Sequence, residues 1–113
     1  MKKKILAGVL CFVIGGAVAN GFTTYGHGVS SCGSWVSNRT AVNSDDDGWP
    51  SRVNRAWVVG FVSGAGYTSP SDLVEVDSSA INAYMDRYCA AHPLDRISVA
   101  ASRLVDELLS TRR

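Results

Sequence analysis

The chain has 113 residues, with eleven Lys and Arg against ten Asp and Glu and a formal net charge of +1. A chain of that length builds one hydrophobic core and not two. The small positive charge belongs to the N-terminus, because all three lysines stand at positions 2–4.

After Met1 and the three lysines comes an uncharged apolar run, Ile5 to Ala19, ending Ala17-Val18-Ala19. A positive start, a short apolar stretch and small residues before a cut predict a cleavable secretory signal peptide over 1–19. The alternative, a membrane anchor, needs about 20 apolar residues, and this run is shorter. Cys11 lacks the residues of a lipoprotein signal before it. Export to the periplasm is therefore expected, with no membrane contact after cleavage. The mature chain would start at Asn20 with eight Arg against ten acids, a net of −2. It carries no basic stripe with interleaved aromatics, so nucleic acid is not an expected partner.

Cleavage also removes Cys11 and leaves an even pair, Cys32 and Cys89. In an oxidising compartment such a pair reads as a disulfide. Closing a loop of this length stabilises a fold by about 4 kcal/mol in the chain-entropy model. The alternatives are free thiols or a metal site. A zinc site wants about four ligands at short spacings, and only His27 and His92 accompany the cysteines. No metal or cofactor is expected.

Residues 20–30 are rich in glycine and polar groups and read as a flexible leader to a single domain over 31–113. Ser31 to Thr40 predicts a first helix, with Cys32, Trp35 and Val36 at helical spacing and Ser30 or Ser31 as cap. Residues 41–50 read as a loop. Its Asp45-Asp46-Asp47 triplet lacks the alternate spacing and the final Glu of a calcium loop, so it reads as solvated.

Ser51 to Gly64 predicts the central helix, entered through Pro50. Val53, Trp57 and Phe61 form its apolar face. Gly60 and Gly64 lie on one side of it, where each costs about 1 kcal/mol relative to alanine. Close approach of another helix or a loop would offset that cost, and the pair is expected to face such a contact at close range. Residues 65–76 read as a connector whose Leu73, Val74 and Val76 lid the core. Asp77 to Ala91 predicts a helix with a stripe of Ile81, Tyr84, Met85, Tyr88 and Cys89. Pro93 to Thr111 predicts the last helix, with Pro93 in its first turn and Leu94, Ile97, Ala101, Leu104 and Leu108 facing inward. No strand pattern is visible. The expected fold is all-α, a bundle of about four helices with one disulfide.

No constellation for catalysis stands out. No serine sits in Gly-x-Ser-x-Gly, the two histidines have no partner motif, and the acids are those of solvated helix faces. Gly64-Ala65-Gly66 is too short for a phosphate loop. An enzyme is not expected. Trp57, on a helix stripe, reads as core. Trp49 and Tyr67, read as loop aromatics, are the candidate partner contacts, since exposed aromatics are enriched at interfaces.

The string Trp57-Val58-Val59-Gly60-Phe61-Val62-Ser63-Gly64, then Tyr88-Cys89-Ala90-Ala91-His92-Pro93-Leu94, then Ala100-Ala101 with Leu104, resembles a group of small periplasmic helical proteins. With Cys32 the resemblance spans roughly 32–109. The group includes the Rap/Tai immunity proteins, which neutralise peptidoglycan amidases delivered by type VI secretion, and the HdeA/HdeB-like acid-stress chaperones. The resemblance implies an all-helical fold with the first-helix cysteine bridged to the Tyr-Cys helix. It also implies that Trp57, Gly60, Phe61, Gly64, Tyr88, Pro93 and Leu94 are structural. Such residues carry fold better than function. The expected function is a non-enzymatic binding protein, an inhibitor or immunity protein against a cell-wall-degrading enzyme of the amidase type. An acid-stress chaperone is the alternative, and a homodimer is left open.

Overall fold

The computed structural model describes residues 22–41 and 48–111. The expected signal segment 1–19 and the acidic triplet Asp45–Asp47 lie outside the described residues. Four α-helices follow a short 3-10 turn, Gly26–Val29: α1 (Cys32–Thr40), α2 (Trp49–Thr68), α3 (Ser78–Ala91) and α4 (Ile97–Thr111). Among the described residues the only extended pairing is a single antiparallel bridge between Ser31 and Arg96. The fold is the all-α bundle that the periodicity predicts.

Local chemistry sets the ends. The Ser31 hydroxyl accepts from the Ser34 N–H at 3.0 Å, and the Asp77 carboxylate accepts from the Ala80 N–H at 2.9 Å. Each satisfies one of the unpaired donors at a helix start. Gly48, at φ 72°, turns the chain into α2, and Pro50 occupies the first turn. That helix is longer than its sequence reading at both ends, so Trp49 and Tyr67 are helical and not loop residues.

α1 lies on α3, and α2 runs against α4. Cys32 and Cys89 are bonded, with Cα atoms 4.6 Å apart, joining the start of α1 to the end of α3. Around the bond the core gathers Trp35, Val58, Met85, Ile97, Ala100, Ala101 and Leu104. The connector behaves as read: Leu73, Val74 and Val76 pack on the core, and the Val74 N–H donates to the Leu108 carbonyl at 3.2 Å.

Three expectations are corrected. The last helix begins at Ile97 and not at Pro93. The backbone of the corner is engaged elsewhere. The Cys32 N–H donates to the Asp95 carbonyl at 2.6 Å, Gly33 N–H to Pro93 at 2.9 Å, and Ile97 N–H to Ser30 at 2.8 Å. Pro93 and Leu94 are consequently exposed turn residues and not core, Leu94 to 95%. Second, Gly60 and Gly64 face solvent, and a Cβ at either would meet nothing within 4 Å. Gly60 borders an open groove shared with Ser78 and Asn82 of α3, and no described residue closes over it. Third, the leader is seated from Phe22 onward. The Trp57 indole N–H donates to the Tyr25 carbonyl at 2.9 Å, and Gly28 lies so close under the ring that a Cβ there would overlap Cζ2, Cη2 and Cε2. The glycine that close packing requires is Gly28. Phe61 stacks between Trp57, at 5.3 Å, and Phe22, at 5.6 Å.

Candidate binding surface

The disulfide sets α1 and α3 antiparallel. A residue three positions after Cys32 therefore faces one three positions before Cys89, and these are Trp35 and Asp86. The Trp35 indole, 1% exposed, donates Nε1–H to Asp86 Oδ1 at 2.8 Å. Arg39, one turn further on, closes a two-pronged pair, Nε to Oδ1 at 2.9 Å and Nη2 to Oδ2 at 2.8 Å. The guanidinium hydrogen bond holds the Asp86 carboxyl below its ordinary range, against partial burial, which pushes it up. The Trp35 hydrogen bond adds to the lowering. The same bond raises Arg39. Asp86 had the pattern of a solvated helix-face acid. Its role was readable from the cysteine spacing combined with a Trp and an Arg four apart.

This cluster is a brace. It fixes α3 and, through it, the corner His92–Arg96. There the Tyr88 hydroxyl donates to Asp95 Oδ2 at 2.6 Å, and the Tyr88 ring packs at 4.4 Å on His92. Burial pushes the Tyr88 phenol up, and the hydrogen bond to Asp95 pushes it further. The Asp95 N–H also bonds the His92 carbonyl at 3.1 Å. With the contacts from Ser30, Cys32 and Gly33, the corner is tied on both sides. Leu94 stands at its tip, 95% exposed, with His92, Pro93 and Arg96 also exposed around it. An isobutyl group on a braced turn has lost its backbone freedom before any partner arrives, which lowers the cost of binding.

Trp49 is 63% exposed and Tyr67 92%, at the two ends of α2. Eighteen positions at about 1.5 Å rise place them about 27 Å apart, so they are not one contact spot. Trp57, Phe61 and Tyr88 are half-buried and packed against the core.

An open groove of about 520 Å³ lies between α2, the connector and α3, lined by Val59, Val62, Leu73, Val76, Ile81 and Leu108. A second, of about 560 Å³, lies between Phe22 and the outer side of α4, beside Ser98, Arg96 and Arg103. His27 is exposed in the 3-10 turn, and His92 lies on Tyr88. Among the described residues no three His, Cys, Asp or Glu side chains are placed to hold a metal ion. No described helix is long and apolar enough to cross a membrane. Comparisons with protein-family models, with curated proteins and with solved structures return no match.

Proposed function

We propose that this protein is an exported, non-enzymatic binding protein that blocks a cell-wall-degrading enzyme, in the manner of an immunity protein. The observation that carries the reading is Leu94, 95% exposed on a corner held by backbone bonds to the segment 30–33 and by Tyr88. An inhibitor needs a convex, rigid element that enters a concave enzyme site, and clefts of that kind are mostly apolar. Burying a leucine side chain in one contributes about 1.5–3 kcal/mol. Peptidoglycan hydrolases of the amidase class are the expected targets, and the periplasm is the expected compartment. The disulfide suits an oxidising compartment.

Affinity capture from the envelope of producing cells tests this reading. The exported protein is expected to retain one hydrolase in a one-to-one ratio, and Leu94→Asp is expected to lose it with an unchanged melting curve. Capture of no hydrolase, or equal capture by Leu94→Asp, would overturn the reading.

A second reading, an acid-stress chaperone, draws on Asp86. Its link to Arg39 joins α1 to α3 and is lost on protonation. The disulfide holds the same two helices at any pH, so acid would loosen this contact without parting them. That favours the inhibitor.

A further inference from the structure

We propose that the groove between the leader and the outer side of α4 binds phosphate, held by Ser98, Arg96 and Arg103. A helix start leaves its first N–H groups without partners inside the helix. At α4 three of them are met. Ile97 N–H donates to the Ser30 carbonyl at 2.8 Å, and Val99 and Ala100 N–H donate to the Arg96 carbonyl at 3.0 and 3.2 Å. Ser98, between them, is the exception. Neither its N–H nor its hydroxyl has a hydrogen-bond partner among the described residues. The residue is nonetheless only 3% exposed, and it lines the groove of about 560 Å³. Buried polar groups are almost always hydrogen-bonded. Two idle groups on one buried residue, opening on a groove at a helix start, are matched by an acceptor that arrives from outside.

The surrounding charges select the acceptor. Arg96 and Arg103 line the same groove, and neither forms an ion pair among the described residues. Seven positions apart, they stand about two turns and about 10 Å from each other on one side of α4. Ser98 and Val99 fall between them, at the positive end of the helix dipole. Arginine arms folding toward each other meet there. Arg103 also approaches the Tyr88 hydroxyl. A ligand that answers two guanidiniums needs about two negative charges, and one that also reaches both donors of Ser98 needs oxygens on several sides. A carboxylate has one charge and a single pair of oxygens. A phosphate group carries nearly two charges and at least three acceptor oxygens, and helix starts suit it. The acids nearby leave the place free. Asp106 lines the far end of the groove, eight positions or about 12 Å from Ser98. The Asp95 carboxylate accepts from the Tyr88 hydroxyl.

Free phosphate and a phosphate monoester share this chemistry. Phe22, Thr24 and Val99 line the rest of the groove, where the body of an ester would lie. The groove does not include Leu94, so phosphate binding stands or falls separately from the proposed function.

Amide NMR on the exported protein, with its disulfide intact, tests the proposal at neutral pH and constant ionic strength. Added inorganic phosphate is expected to shift the Ser98 N–H signal to saturation, while chloride and acetate leave it in place. Glycerol 3-phosphate separates the two sources. Affinity no better than that of the free ion marks inorganic phosphate as the ligand, and binding about tenfold tighter marks a monoester. Arg96→Gln and Arg103→Gln are each expected to weaken phosphate binding about tenfold, the loss of one charge-assisted hydrogen bond, with an unchanged melting curve. Ser98→Ala, which keeps the N–H and loses the hydroxyl, is expected to weaken it as well. A Ser98 signal unmoved by phosphate, a shift that chloride reproduces, or undiminished binding in both arginine variants would overturn the proposal.

Discussion

Asp86 answers two donors of different kinds, and substitutions separate them. Asp86→Asn keeps an acceptor for the Trp35 indole and loses the ion pair with Arg39. With both side chains about one-third exposed, that loss is about 0.5–1 kcal/mol. Asp86→Ala also strands a buried N–H and is expected to cost about 1–3 kcal/mol more. Denaturant melts at neutral pH read the difference. The pH dependence follows from the direction of the shift. A carboxyl held below its ordinary value in the fold contributes fully above about pH 4. That contribution fades as the pH falls through the lower, folded value. The gap between wild type and Asp86→Asn should therefore be complete at pH 7 and close progressively below about pH 4. Gly28 offers a second test at this scale. In Gly28→Ala a methyl group displaces the leader from Trp57. The Trp57 indole N–H, bonded to Tyr25 in the native chain, should then exchange freely by NMR while the global melt changes little.

Among the elements, α2 and the α1–α3 pair carry the clearest expectations. Gly60→Ala should raise stability by about 0.5–1 kcal/mol, because alanine favours helix and meets no neighbour. Lower stability would mean the face is covered within one chain. Cys89→Ser should lower stability by about 2–5 kcal/mol in the same assay. The four helices, apart from the ends of α2 and the start of α4, and the disulfide were legible in the sequence, and the first cap was narrowed to Ser30 or Ser31, because spacing, capping and cysteine parity are local or countable. The seat of Gly28 was not, because nothing in a glycine-rich leader says which aromatic will lie over it. The sides of Gly60 and Leu94 were misread for one reason. A helical stripe fixes which residues share a face, but a glycine column or a residue just outside the helix leaves its direction to tertiary bonds. At the corner those bonds run from residues 30–33 to 93–97, sixty or more positions apart in sequence.

Taken whole, the molecule is a braced bundle with the Leu94 corner turned outward. The disulfide and the Asp86 cluster hold α1 to α3. The backbone bonds to residues 30–33 then hold the α3–α4 corner. Rigidity of this kind suits inhibition, which gains from order established before contact. The most direct measurement adds increasing amounts of the protein to an envelope extract that digests purified cell wall, and follows release of peptide fragments. Wild-type protein should suppress the release to a sharp stoichiometric end point, and Leu94→Asp, equally folded, should leave it running. Digestion untouched by the wild-type protein, or suppressed equally by Leu94→Asp, would contradict the account.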